Sequence, residues 1–593
     1  MSTRLSKAWS LLETFRREER GNVAIMFAVA LVPLLGLVGA AIDYSRASSF
    51  RTKMQAAADS TALAVSKTAS SKTNDQLTAE ADAYYRAQIT SKDATVNEVK
   101  TTYTKEPSAN VVVTATATIK PAFMGVLGFS PMTLKASSTT TWGNRRLRVA
   151  LALDNTGSMN DDNKMVELKK ALTTANTGLL PQLRAAAASP GDVYVSIIPF
   201  SKDVNVGSTN YTANWIDWTD WEAPPANSMP DMSVGPGSAC PYPKDWWGNK
   251  PMGFTCTANA TNGSSEVSTV PSSGLICPGI DNGAVTASLN GRYYNGCYNS
   301  TQYSCKGSSC SCSGHSQCEC SGNGSNKVCK TKSGYYEHAW VVNNHSTWTG
   351  CVTDRGASSG PSPGTAGNGY DQKATAPTTS IAASLFPAEQ TSYCAGSSGL
   401  KAMIGLKDMR TDAEYNAMTT FVNNMQPNGS TNQGIGLVWA WHSLVGAGPL
   451  TAPTYDSKYD YLNVIILMSD GLNTQNRWDG SGYGGQSSSV IDKINDRMRD
   501  SSGAGTCKNI KDTTIPGSTV PIVIYTVQVN TGNDPTSTLL QNCASPSVLK
   551  DSKGAVIEAF PSGTKFFQVK TASEIGTVFG QIASTLSQLR VAK

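Results

Sequence analysis

Apolar residues follow three patterns along the chain. Val23–Ile42, VAIMFAVALVPLLGLVGAAI, runs twenty residues without a charge, close to the ~20 a helix needs to span a bilayer. In Val96–Tyr103, Val111–Ile119 and Met132–Trp142 apolar and polar residues alternate, which predicts half-buried strands. A third set is more continuous. Leu147, Val149, Leu151 and Leu153 are separated by Arg148, Ala150 and Ala152, and Val193–Phe200, the run from Tyr461 to Met468 and Val520–Val529 are mainly apolar. These suit strands buried on both faces of a sheet. Phe566–Val569 is a further short candidate.

Helical spacing lies between the strands. Met165, Leu168, Leu172, Leu179 and Leu180 predict a helix capped by Asp161 or Asp162 and reaching about Ala186. Met409–Met425 and Gly434–Val445 read as further helices. Ser573–Arg590 places Ile575, Val578, Phe579, Ile582, Leu586 and Leu589 on one face; its polar face has few Lys or Arg, which disfavours binding to a membrane surface. Strands alternating with helices predict an α/β fold with a mostly parallel sheet covered on both faces.

Ahead of the apolar run stand Arg4, Lys7, Arg16, Arg17 and Arg20, favouring a cytoplasmic N-terminus and an exported body. The run exceeds the ~7–15 residues of a signal-peptide core, so a retained anchor is expected over cleavage near Val38-Gly39-Ala40. Asp43–Ala69 continues as helix, with Ala56, Ala57, Ala58, Ala62, Leu63 and Ala64 as a small-residue face. A second helix over about Asp75–Ile89 and the alternating strands complete a small α+β region.

Cysteine placement supports export. All 14 lie from Cys240 onward, which suggests disulfides in an oxidising compartment. From about 205 to 395 the periodicity stops. Trp215, Trp218, Trp221, Trp246 and Trp247 sit among Pro, Asn and Gly, and six cysteines crowd between Cys305 and Cys329. This reads as a disulfide-stapled insertion without a large core of its own. The tryptophans are read as packing posts, with a carbohydrate platform as the alternative. The C-x-C spacings fit zinc poorly even with His315 nearby. Cys507 and Cys543 flank the Val520–Val529 strand and are a candidate pair. The net charge of +5 comes without a basic block, so nucleic acid is not an expected partner.

The chemistry concentrates where strands end. Leu147–Leu153 runs into Asp154-Asn155-Thr156-Gly157-Ser158, an acid and two hydroxyls around a glycine. Oxygen donors at alternate positions of a tight turn suit a hard divalent cation. Pro427–Asn432 presents Thr431 ahead of an apolar run, and a second buried strand ends in Asp470-Gly471. The D-x-T-G-S, Thr and strand-Asp-Gly arrangement resembles the metal-ion-dependent adhesion site of von Willebrand factor A domains, with Thr156 where that family usually has serine. The resemblance implies Asp154, Thr156, Ser158, Thr431 and Asp470 as metal ligands. It implies a divalent cation, Mg²⁺ first and Ca²⁺ or Mn²⁺ as alternatives, that accepts a partner's carboxylate. No Gly-x-Ser-x-Gly elbow, P-loop or paired-carboxylate site stands out and the four histidines are scattered, so catalysis is not expected.

Arg20–Ala64, RGNVAIMFAVALVPLLGLVGAAIDYSRASSFRTKMQAAADSTALA, resembles the N-terminal segment of TadE/TadG-like proteins of Flp (tight adherence) pilus systems. The von Willebrand A-like region, the stretch Leu539–Ser545 and a terminal helix closing on Leu589-Arg590 resemble the TadG-like branch. Pilins and TadE-like pseudopilins carry a glutamate five residues beyond the cleaved glycine; counted from Gly21, that position is Met26, so a permanent anchor is expected. The resulting map is a cytoplasmic 1–20, a transmembrane helix 21–43, a TadE/TadG-like region 44–145 and a von Willebrand A-like domain 146–593 interrupted at about 205–395. The expected role is assembly or anchoring of Flp-type pili from the bacterial inner membrane, with the body in the periplasm and other pilus proteins as partners. The alternatives are a surface adhesin not tied to pili and an enzyme whose site lies in the insertion.

Overall fold

The computed structural model describes residues 22–591 except 67, 70–71, 93, 105–108, 127, 143–144, 226–228, 241–253, 258–265, 279–293, 357–368, 392, 395–397, 481–486, 500–504, 533 and 548–562. The expected cytoplasmic segment 1–20 and both Trp246 and Trp247 lie outside the described residues. The chain divides after Asn144 into two compact units.

In the first unit the apolar run is the leading part of one helix, α1 (Asn22–Ser66), with Pro33 inside it. It is long and apolar enough to cross a membrane. Helix α2 (Asn74–Gln88) begins at a reciprocal cap: Thr73 Oγ1 accepts from the Gln76 N–H, and Gln76 Oε1 accepts from the Thr73 N–H. Strands β1 (Ala94–Thr104), β2 (Ala109–Ile119) and β3 (Met132–Trp142) form an antiparallel sheet in that order. Met54, Ala57, Ala58, Ala62 and Val65 of α1 pack with Leu77, Ala81 and Tyr85 of α2 over Val111, Val113, Ala115 and Ala117 of β2. The buried face of α1 is thus narrower than the alanine run, for Ala56 and Leu63 are exposed.

The second unit is built on a parallel sheet. Its central strands are β4 (Arg145–Asp154), β5 (Val193–Phe200), β7 (Asp460–Ser469) and β8 (Val523–Val529), with β6 (Ile404–Asp408) and β9 (Phe566–Val569) at its sides. The order β9-β8-β7-β4-β5 is parallel throughout, and β6 joins β5 antiparallel. Period two sorts β4: Leu147, Val149, Leu151 and Leu153 enter one core, Ala150 and Ala152 the other. The first core lies under α3 (Lys164–Thr173), α4 (Leu179–Ala186), α5 (Asp412–Asn423) and α10 (Glu574–Val591). The second lies under α6 (Gln433–Val445), α8 (Thr506–Lys511) and α9 (Thr538–Cys543). Helix α7 (Ser488–Asp496) precedes α8.

The helix expected from Asp161 to Ala186 is two helices with a break at residues 174–178. Neither aspartate caps it. Asp162 and Asn163 both have positive φ (51° and 60°), and α3 starts at Lys164 after a short 3₁₀ segment, Gly157–Asn163.

Part of the insertion extends the main sheet. Val204–Asn205, Cys351–Val352, Phe386–Glu389 and Ile216–Asp217 continue it beyond β5. Trp221, Trp348 and Phe386 are buried in the second core, and Trp218 packs edge-on to Trp221 and Trp348. Five disulfides, Cys240–Cys256, Cys277–Cys297, Cys305–Cys310, Cys312–Cys318 and Cys320–Cys329, staple the two small sheets outside the main one. Cys351–Cys394 sits at the main sheet, and Cys507–Cys543 joins α8 to α9.

Candidate functional site

Chain order places the candidate site. After β4 the chain adds β5 and β6 on one side, then crosses to build β7, β8 and β9 on the other. The carboxyl ends of β4 and β7 therefore flank the point where the winding reverses, the usual ligand crevice of open α/β sheets. Asp154 ends β4, and Asp470 directly follows β7.

Asp154 is fully buried. Its Oδ1 accepts from the Thr156 N–H at 2.8 Å, an Asx-type turn that folds the chain back on the strand end. Its Oδ2 accepts from Ser469 Oγ at 2.7 Å. Thr156 Oγ1 and Ser158 Oγ lie 3.1 Å apart, and Ser158 Oγ donates to Asp470 Oδ1 at 2.8 Å. Four of the five expected ligands thus form one connected group. Ser158 is its exposed member and marks the side open to solvent.

The fifth, Thr431, is buried on a loop tied to the same turn. Gly157 N–H donates to Gly429 O at 2.9 Å, and Asn428 N–H to Asn155 O at 2.6 Å. Thr431 N–H donates to Thr474 Oγ1 at 2.8 Å, while its carbonyl accepts from the Thr474 and Gln475 amides. Among the described residues no hydrogen bond joins its hydroxyl to the other four. Asn432 then caps α6, accepting from the Ile435 N–H.

Two participants were not anticipated. Ser469 links the strand ends and itself accepts from Gln433 Nε2 at 2.9 Å; its position one residue before Asp470 was the available signal. Lys164 donates to Asp470 Oδ2 at 2.9 Å and to Ser158 O at 3.3 Å from a side chain only 9% exposed. A lysine at the first position of a helix opposes the helix dipole, and that was its signal.

The electrostatics are unbalanced. Burial, and then the charge of Asp470, push the Asp154 carboxyl up to about 7, against hydrogen bonds from Ser469 and Thr156 that lower it. The Lys164 ammonium pairs with Asp470, and Asp154 is held by neutral donors alone. An all-oxygen donor set with a surplus of negative charge fits a hard divalent cation.

The other candidate chemistry does not assemble. Cys312, Cys318 and Cys320 come together, but each is in a disulfide. His315 stacks on Tyr303 beside Glu337, His345 stacks on Trp218 beside Glu222, and His442 is buried against Arg355.

Residues 21–70 match the model of the Flp pilus-assembly TadE/G-like family. No curated protein matches the chain. Two crystal structures of the pilus adhesin SpaC from Lactobacillus rhamnosus GG are similar at low level. One is 9% identical over 84% of this chain and 35% of that one, with a TM-score of 0.29. The other, in an open conformation, is 8% identical over 84% and 34%, with a TM-score of 0.27. The chain spans about a third of the length of those adhesins.

Proposed function

We propose that this chain is a membrane-anchored component of Flp-type pilus assembly or anchoring. It binds a partner protein through a divalent cation held in a von Willebrand A-type site. The observation that carries the reading is the placement of Asp154 and Asp470 at the carboxyl ends of adjacent parallel strands, across the switch point, with Thr156 and Ser158 between them. The TadE/G-like segment supports the pilus role, and the seven disulfides support a periplasmic body on an inner-membrane anchor.

Asp154, Thr156, Ser158, Thr431 and Asp470 would hold the cation, with Mg²⁺ favoured. When bound, it supplies an electrophilic position for a partner's carboxylate. The chain's own part is to present the donors. Ser469 and the Thr156 amide orient Asp154, Ser158 and Lys164 orient Asp470, and the Gly157–Gly429 bond aligns the Thr431 loop. The exposed side of Ser158 is the face a partner approaches.

Calorimetric titration of Mg²⁺ into the oxidised full-length chain in detergent, beside Asp154→Ala and Asp470→Ala, tests this. Binding that both substitutions abolish is expected. No binding by folded wild type, or equal binding by all three, would overturn the cation mechanism.

A further inference from the structure

The exposed apolar surface of the first unit does not stop with α1. The β2–β3 connection contains Pro121–Pro131, PAFMGVLGFSP, eleven residues without a charge. It turns back against α1 at Gly39, where an added Cβ would stand 2.8 Å from Phe123 Cβ. Gly39 lies inside the apolar run, three residues before its end at Ile42, or about 5 Å along the helix at ~1.5 Å per residue. Any bilayer that takes in that run meets this connection.

Its side chains suit that position. Val126 is 87% exposed, Phe129 57% and Phe123 52%. Leu35 and Ile42, also exposed, share the helix face of Gly39. The apolar patch of the connection is therefore continuous with the span. In water such a patch is a liability.

Its backbone suits the position too. Asp43 Oδ1 accepts from the Ala122 N–H at 2.8 Å, and Oδ2 accepts from Phe123 and Met124 at 3.0 and 2.8 Å. Local turns engage the N–H groups of Val126, Gly128 and Phe129, which donate to Phe123, Gly125 and Met124 carbonyls. Closing these donors internally lowers the cost of holding irregular backbone at the headgroup–acyl boundary, the deepest level open to a lipid-exposed loop. The Asp43 carboxylate is itself covered by these donors and faces Arg46 Nη1 at 3.7 Å.

We propose that the described residues of this connection, 121–126 and 128–131, form a second membrane-contacting element, seated at the headgroup–acyl boundary beside the anchor with phospholipid as its partner. This inference rests on α1 spanning the bilayer, and not on the cation site.

The test uses the full-length chain in phosphatidylethanolamine–phosphatidylglycerol nanodiscs. An environment-sensitive fluorescent amino acid is placed singly at Val126, at Val32 within the span, or at exposed Lys100 on β1. The expected result is at least twofold stronger quenching at Val126 than at Lys100 by lipid with a nitroxide at acyl carbon 5, with Val32 quenched by a nitroxide at carbon 12. Quenching at Val32 but only background at Val126 would overturn the proposal. Blue-shifted but unquenched emission at Val126 would also overturn it, since a second copy or another protein would then cover the loop. An unquenched Val32 would overturn the span, and the loop proposal with it.

Discussion

Ser158 Oγ and Lys164 Nζ divide the Asp470 carboxylate between them, the hydroxyl on Oδ1 at 2.8 Å and the ammonium on Oδ2 at 2.9 Å. The hydroxyl is one of the proposed ligands; the ammonium is not. In the proposed cation site Lys164 would be a tethered cation next to the free one. Lys164→Gln removes a positive charge in contact with a ligand carboxylate, and Mg²⁺ affinity by calorimetry is expected to rise about tenfold or more. In EDTA the same variant should melt earlier than wild type, because Asp154 and Asp470 then repel without relief. A lysine that merely packed would lower stability without raising affinity, and that outcome would refute the electrostatic role.

A second prediction concerns pH. His442 is completely buried on α6, and Arg355 Nη2 donates to its Nε2 at 3.1 Å, which requires a neutral ring nitrogen there. Burial first, and then the Arg355 charge, hold its pKa well below the ordinary histidine value. The sign follows: as pH falls through ~6.5 the unfolded chain gains a proton that the folded chain refuses, so stability is lost on acidification. The slope from this residue is at most ~1.4 kcal/mol per pH unit. Denaturant titrations from pH 7.5 to 5 should show His442→Gln with a shallower decline than wild type. Equal slopes would mean that His442 is not the titrating group.

The sequence was informative where structure repeats and silent where it does not. Continuous apolar runs identified β4, β5, β7 and β8, because strands buried on both faces carry few charges. Arg148 of β4 is buried all the same. Strand β9 was legible as a short apolar run, although three of its four residues are half-buried. The D-x-T-G-S turn and Asp470 were legible because they follow such runs directly. Lys164 was not, since its role depends on a carboxylate 306 residues away. Strand β6 was missed because its residues Ile404–Asp408 are only partly buried. The two-residue strands by which the insertion joins the main sheet have no period to detect. Asp43 reads as the residue that ends the apolar run, and nothing local shows that it accepts three amides from a loop about 80 residues away.

The Cys507–Cys543 disulfide closes 36 residues across α8, β8 and α9. Both cysteines are buried in the second core. Replacing both with alanine is expected to cost about 2–4 kcal/mol, mostly by releasing the unfolded chain. Guanidinium unfolding of the full-length variant measures this. A change below ~1 kcal/mol would show that the surrounding core, and not the bond, fixes these helices.

The insertion touches the loop of the proposed cation site. Gly429 adopts φ +91°, and a Cβ there would stand 2.7 Å from Tyr393 Cγ, beside the Cys351–Cys394 disulfide. Its carbonyl accepts from the Gly157 N–H inside the ligand turn, and Thr431 lies two residues further on. Gly429→Ala must therefore shift either Tyr393 or the loop that carries Thr431. Gly237→Ala is the matched control: φ is +86°, the position belongs to the same unit, and nothing lies within 4 Å of its added Cβ. Backbone strain should destabilise both by roughly 1–3 kcal/mol, read as comparable drops in melting temperature. Mg²⁺ affinity should fall only in Gly429→Ala. Equal affinity in the two variants would show that the Thr431 loop holds its position without Tyr393, and that the insertion does not brace the site.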